Sequence, residues 1–316
     1  LAYRKWRLLM IIVLVGRKTG QSDSSHKDIR KLLIEFAELI YDRGHEPMFD
    51  EETAVNFLVG TPFLFNHADT LQIGSFGDIA QAAEVCIVLG GDGTMLNAAK
   101  QIHSPDRSIP LLGINLGNVG FITDVAADVR KDVIIEMLEN HEYISEKRTM
   151  LTLNHAGVWL TALNDVVISR STGKIIEFKV RIDGQPAYTA RGDGLIISTP
   201  TGSTAYALSG GGPIVHPTAR VIEIIPIMAQ SLSTRPLIIN DTSIVGIELV
   251  SGDAEIFLDG QLLREMKPKE RFETARSNRF VEFIHPNLPD LNHTYSYYDT
   301  LAEKLNWHFL PGTRRT

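Results

Sequence analysis

The chain of 316 residues is 44% hydrophobic and 22% charged, a balance that suits a folded globular protein with room for two domains and excludes a disordered chain. Its net charge of −7 argues against a broad nucleic-acid surface. The single cysteine, Cys86, allows no disulfide framework within the chain and fits a reducing, cytoplasmic setting.

In chain order, the apolar run 8–15 is far too short to span a bilayer, so no membrane partner is expected, and it reads as the first buried strand of a parallel sheet. It ends at Gly16-Arg17-Lys18-Thr19-Gly20, which looks like the tail of a P-loop, yet no glycine stands five residues before Gly16 and the full GxxxxGK[ST] pattern is absent. A helix follows over about 27–43, with Ile29, Leu32, Leu33, Phe36, Ala37 and Ile40 on one stripe, a capping-box-like start at Ser25 and Asp28, and Gly44 as its C-cap. Residues 46–49 read as a strand; from 51 to 77 only a helix at 53–58 stands out.

Residues 85–89 are an apolar strand that runs into Gly90-Gly91-Asp92-Gly93-Thr94 and then a helix over 95–102. Glycines allow close approach of a ligand, and the free amides of the helix start suit phosphate. A carboxylate is out of place there unless it holds a metal or accepts a hydrogen bond from a hydroxyl; an ordinary strand-to-helix turn is an equal reading of the stretch taken alone. A second strand and glycine turn follow at 110–114 and 115–121, then a helix over 128–139. The alternation defines a doubly wound α/β domain, residues 1–145, with ligands expected at the carboxyl ends of its strands.

From 146 to 290 the pattern turns to strands, making a β-rich, sandwich-like domain. Ile176, Phe178, Val180 and Ile182 alternate with charged residues, and Asp183-Gly184 signals a hairpin. Further strands read at 195–198, 237–239, 244–249, 255–258 and 280–284, while Trp159, Phe178 and Phe283 read as core. The tail 291–316 carries a helix over 297–307 that packs back on the first domain. The most specific stretch runs from Asp193 to Tyr206, a strand followed by a turn rich in hydroxyls. Ser198, Thr199, Thr201, Ser203, Thr204 and Ser209 suit a polar ligand, and Tyr206 offers a ring to a base. A Ser/Thr-rich surface loop is the alternative.

Together these stretches resemble the bacterial NAD kinase family. The matching pieces are 90–94, 113–121, 164–167, 193–213, 232–239 and 259–261, in the family's order. The resemblance implies transfer of the γ-phosphoryl of ATP to the 2′-hydroxyl of the adenosine ribose of NAD, with Mg²⁺ or Mn²⁺ carried on the ATP phosphates rather than by a side-chain cluster. It implies a homotetramer or homodimer with NAD bound between subunits. By motif, Asp92 is the catalytic base and Gly93 lies against the ligand. Asn164 and Asp165 hold the ribose and adenine side, and Asp193 and Ala205 face an amide or adenine edge. Thr201 and the run Thr204, Ala205, Tyr206, Ala207, Leu208 and Ser209 line the NAD pocket, and Gln261 closes it. Lys174 and Arg191 stand where relatives contact ligand, often from a neighbouring subunit. Asp165 replaces the family's usual Glu, and Gly210 its usual Ala, which is expected only to loosen the turn. From the GGDG turn alone, a diacylglycerol- or sphingosine-type lipid kinase is the first alternative; a non-enzymatic NAD-binding regulator is the second.

Overall fold

The computed structural model describes residues 9–17, 25–102, 108–117, 120–123, 125–155, 157–288 and 293–307. The chain divides into two units, Leu1–Glu146 with Glu282–Thr316, and Lys147–Val281. The C-terminal helix belongs to the first.

The first unit alternates strands and helices: β1 (Ile11–Gly16), α1 (Ser25–Asp42), β2 (Glu46–Asp50), α2 (Glu51–Thr53), a π-helical turn (Ala54–Leu58), α3 (Pro62–Asn66), β3 (Gln72–Gly74), α4 (Phe76–Ala82), β4 (Val85–Leu89), α5 (Asp92–Ile102), β5 (Leu111–Asn115), β6 (Val125–Ala126) and α6 (Lys131–Asn140). The parallel order is β5-β4-β1-β2-β3. The chain moves one way from β1 to β2 and β3, and the other way from β4 to β5. The carboxyl ends of β1 and β4 therefore flank a topological switch point, where open α/β sheets bind ligands. The stripe of α1 buries Ile29, Leu33, Phe36, Ala37 and Ile40 against Ile12, Leu14, Ile87 and Leu89, one face of the sheet. Cys86, in β4, is 0% exposed, and burial pushes its thiol well above the usual range.

Two helix starts differ from the sequence expectation. Helix α5 begins at Asp92 rather than 95, because Gly91 O already accepts from Thr94 N and Met95 N at 2.9 and 3.1 Å. Helix α6 begins at Lys131 rather than 128, because Val129 N bonds to Ala126 O in a turn and Arg130 is extended. Gly44 ends α1 with φ +81, as a C-cap glycine does. Ser25 and Asp28, expected as a capping-box start before a helix at about 27, both lie within α1, which Ser25 opens; the turn 18–20 lies outside the described residues.

The β-rich unit takes in β7 (Tyr143–His155, from Lys147 on), β8 (Val158–Ala162), β9 (Asp165–Arg170), β10 (Ile176–Ile182), β11 (Gln185–Gly192), β12 (Gly194–Ser198), a 3₁₀ turn (Thr201–Thr204), α7 (Tyr206–Ser209), β13 (Val221–Ile227), β14 (Leu237–Asn240), β15 (Val245–Ser251), β16 (Ala254–Leu258), β17 (Gln261–Met266) and β18 (Arg271–Leu288, up to Val281). The short β19 (His293–Thr294) and α8 (Tyr297–Lys304) close the first unit. Helix α8 stops at Lys304, short of the expected 307, where Asn306 takes φ +52.

One antiparallel sheet has the order β14-β13-β12-β9-β16-β17; the other runs β11-β10-β15-β18. Alternation decides the layers. Val166, Ile168, Leu195, Ile197, Ile222 and Ile224 of the first sheet share a core with Ile176, Phe178, Val180, Val245, Ile247 and Leu249 of the second. The intervening residues of the first sheet face the other way, where Val167, Ile196 and Ile225 form a small cluster with Ala207 of α7. This outer face carries the candidate site. The hairpin at Asp183-Gly184 forms as expected, with φ +52 and +75. Phe178 and Phe283 are core, at 1% and 0% exposure, but Trp159 is 62% exposed. It pairs with Asn154 two residues past the Gly157 turn, at the outer end of the β7–β8 hairpin, where bulk alone does not bring burial.

Candidate active site

In the α/β unit the turn after β4 sits at the switch point, tied down by Gly90 N to Ile114 O at 2.9 Å and by Arg17 N to Leu89 O at 2.8 Å. Asp92 occupies the first turn of α5, and its carboxylate accepts from Phe121 N at 2.8 Å, Ile122 N at 3.2 Å and Thr123 Oγ1 at 2.9 Å. Thr123, 0% exposed, in turn accepts from Asn115 Nδ2 at 2.9 Å. The two glycine turns of the sequence thus meet on one carboxylate. Gly120 makes that possible: a Cβ there would overlap Asp92 Oδ1. Thr123 escaped the sequence reading, and Asn115, placed there in the second glycine turn, was given no role; its signal is a polar residue closing a buried strand. Gly93 is exposed. Arg17 is exposed beside Gly90, whose added Cβ would stand 3.1 Å from Arg17 Cβ.

In the β-rich unit a cavity of about 360 Å³ opens on the outer face of the six-stranded sheet, lined by Asn164, Asp165, Val167, Ser169, Ala205, Tyr206, Phe257, Asp259 and Gly260. Asn164, Asp165, Ala205 and Tyr206 were named from the sequence. Asp165 is 3% exposed at the start of β9, and Tyr206, 47% exposed, contributes an aromatic wall. Val167, Ser169 and Phe257 follow from strand alternation. Asp259 was missed as a site residue. Its carboxylate accepts from Leu163 N at 2.9 Å, Asn164 N at 2.6 Å and Asp165 N at 3.1 Å, fixing the start of β9. It stands with Gly260 at φ +47 and +75, the turn joining β16 to β17, and the Asp-Gly pair is the signal that would have drawn notice to it.

The other expected residues lie apart from this lining. Ala207 is 0% exposed in the apolar cluster, so its methyl is core rather than pocket wall. Leu208 is half-buried, while Ser209, Gln261, Lys174 and Arg191 are exposed. Arg170 Nε approaches Asp193 Oδ1 at 2.9 Å, so Asp193 is already paired. Of the six hydroxyls, Ser198, Thr199 and Ser203 hold the turn itself, bonding to Asn164 O at 3.2 Å, Leu163 O at 2.6 Å and Val215 O at 3.2 Å. Thr204 bonds to Thr201 O at 3.3 Å, and Thr201 Oγ1 is buried without a hydrogen-bond partner among the described residues. Gly210 is closely packed rather than loose: a Cβ would meet Ile196 Cδ1 at 2.9 Å.

An α/β unit with an aspartate at its switch point and a β-rich unit with a cavity walled by Tyr206 and Phe257 and edged by Asn164 and Asp165 fit a protein that handles a nucleotide. Residues 22–143 match the ATP-NAD kinase N-terminal domain and 163–286 the ATP-NAD kinase C-terminal domain. The chain is 37% identical over 301 residues to the NAD kinase of Thiobacillus denitrificans, covering 93% of this chain and 96% of that one. It is 38% identical over 307 residues to the NAD kinase of Ralstonia nicotianae, covering 95% and 94%. The chain belongs to the ATP-NAD kinase family. In fold it is similar to yeast NADH kinase complexed with NADH, with TM-score 0.78 and 23% identity over 98% of this chain and 90% of that one. It is also similar to an NAD kinase from Archaeoglobus fulgidus in complex with ATP, with TM-score 0.64 and 21% identity over 90% and 96%.

Proposed function

We propose that the chain is an ATP-dependent NAD kinase in which Asp92 is the general base, receiving the proton of the adenosine ribose 2′-hydroxyl as that oxygen attacks the γ-phosphorus of ATP. The bond formed is 2′-O–P, the bond broken is the β,γ-bridging P–O, and the products are NADP and ADP. The observation that carries the reading is the seating of Asp92. A carboxylate offers about four lone-pair sites, and three are taken by Phe121 N, Ile122 N and Thr123 Oγ1. The remaining one is fixed in direction and suits one hydroxyl donor. Phosphoryl transfer depends on positioning and charge neutralisation, which a clamped carboxylate at a helix start serves.

Asn164, Asp165 and Tyr206 bind the nucleoside of NAD, supported by their shared cavity. Arg17, beside Gly90 at the switch point, supplies the positive charge toward ATP phosphates that the missing P-loop lysine would give. A divalent cation, Mg²⁺ or Mn²⁺, would be carried on those phosphates and would offset their charge. Among the described residues no group of three or more His, Cys, Asp and Glu side chains is placed to hold a metal. A homodimer or homotetramer belongs to the same reading, supported by exposed Met228, Leu232 and Ile238 at 77%, 85% and 50%, and light scattering tests it. A cytoplasmic location agrees with the lone buried cysteine, and among the described residues no helix is long and apolar enough to cross a membrane.

The test of activity is NADP formation coupled to an NADP-specific dehydrogenase, with lipid and fructose 6-phosphate as competing acceptors. Product is expected with NAD; no product at saturating ATP, NAD and metal would overturn the proposal.

A further inference from the structure

Glu223 lies in the middle of β13 and is 0% exposed, and neither carboxyl oxygen has a hydrogen-bond partner among the described residues. Its cross-strand neighbours are Ser198 of β12 and Ile238 of β14. Ser198 Oγ donates to backbone carbonyls instead. By alternation Glu223 shares the outer face of the sheet with Ile225, Ile196 and Val167, the face that carries the cavity. The Gly210-Gly211-Gly212 turn covers it: the Cβ that Gly212 lacks would stand 3.1 Å from Glu223 Oε2 and 3.0 Å from Ala207 O. Three backbone bonds tie that turn to α7, from Gly210 N to Tyr206 O at 2.9 Å, Gly211 N to Leu208 O at 3.1 Å and Gly212 N to Ala207 O at 2.9 Å. Tyr206 is a wall of the cavity.

We infer that Glu223 is a positioning residue for the nucleotide pocket: the glycine turn packed on it and the α7 wall keep their binding arrangement only while its carboxyl is protonated. An ionised carboxylate sealed from water with no donor is costly, and the chain relieves it by admitting water. The cover that can move is the glycine turn, and lifting it breaks the bonds that end α7. Burial pushes the carboxyl up to about 8, and burial is the only cause of the shift. Of the titratable groups on the surrounding elements, Asp165 shares the cross-strand row beyond Ser198 and lines the cavity, Tyr206 lines it too, His216 Nδ1 bonds to Thr218 Oγ1 at 2.8 Å, and Arg220 approaches Asp241 at 3.5 Å. The inference rests on the proposed NAD pocket.

Calorimetric titration of the full chain with NAD from pH 6.5 to 9.5 tests it. If only the protonated form is competent, the apparent Kd rises with the lost fraction, about tenfold by pH 9. In Glu223→Gln, which imitates the protonated group, Kd stays flat over that range. A flat Kd in the wild-type chain, or a rise that persists in Glu223→Gln, would overturn the inference. Hydrogen exchange without NAD reads the turn separately: amides of 206–212 exchange faster at pH 9 in the wild type than in Glu223→Gln, and equal rates would refute the role of Glu223. If NAD fails to bind at every pH, the pocket assignment falls, and exchange still decides whether Glu223 governs the turn.

Discussion

Two aspartates, one in each unit, collect three hydrogen bonds apiece, but from different kinds of donor. Asp259 takes three consecutive backbone amides, Leu163 to Asp165, that open strand β9. Asp92 takes two amides and the hydroxyl of Thr123. Backbone amides at the edge of a buried strand have nowhere else to go, so Asp259 serves the fold. Thr123 gives its one hydroxyl proton to Asp92 and accepts from Asn115, so the third donor of the Asp92 cradle is a side chain held in turn by another side chain. On the proposed mechanism, similar seating makes a structural anchor of Asp259 and a chemical group of Asp92.

Asp92→Asn breaks this contrast hardest. It keeps the shape and removes the base, so kcat should fall about a hundredfold or more with KM for NAD little changed, in line with general-base contributions. Near-normal kcat in steady-state kinetics would remove Asp92 from its role. Gly120→Ala reaches the same carboxylate indirectly, since the new methyl overlaps Asp92 Oδ1, and should lower kcat by tens of fold with Asp92 intact.

Asp259→Ala is the counterpart in the second unit. Three amides lose their acceptor, and the unfolding free energy should drop by about 2–3 kcal/mol in urea titration. A stability change below about 0.5 kcal/mol would mean that other acceptors already serve those amides.

Asp165→Asn should raise KM for NAD several-fold with a smaller change in kcat, the mark of lost uniform binding. Asp165→Glu restores the family's side chain and lowers KM if the shorter residue is a defect. Arg17→Ala should raise KM for ATP a few-fold while KM for NAD holds, with part of the effect restored by lysine.

Glu223, with no donor among the described residues, extends the contrast in the opposite direction. Its folded carboxyl titrates near 8, above the ordinary value of 4.5. Between those values the unfolded chain has lost the proton while the folded chain keeps it, so stability falls as pH rises through this window and levels above it. Melting temperatures taken from pH 5 to 9 should show that slope in the wild type and a shallower one in Glu223→Gln.

Local signals made much of this legible in the sequence. The α1 stripe, the apolar β4 with its glycine turn, and the Asp183-Gly184 hairpin each depend on neighbours a few residues apart. The start of α5 was misplaced because glycines lower helix propensity although Gly91 caps the turn. The wiring of the site was not legible. Asp92 meets its donors 29 to 31 residues away, and Asp259 meets its own 94 to 96 residues away. A list of hydroxyls cannot tell Ser203, turned inward to Val215, from Ser209, turned to solvent. Ala207 shares the motif with Tyr206 but points into the sheet.

The single thiol has a practical consequence. Cys86 sits in β4, paired on both sides by β1 and β5, four residues before the Gly90 turn, and nothing of it reaches solvent. An alkylating reagent can modify it only when those strands part. The chain therefore carries its own clock for the opening of the α/β unit, one label per molecule and no engineered probe. Reading that clock with and without ATP would report how strongly the donor nucleotide fastens the sheet beneath it.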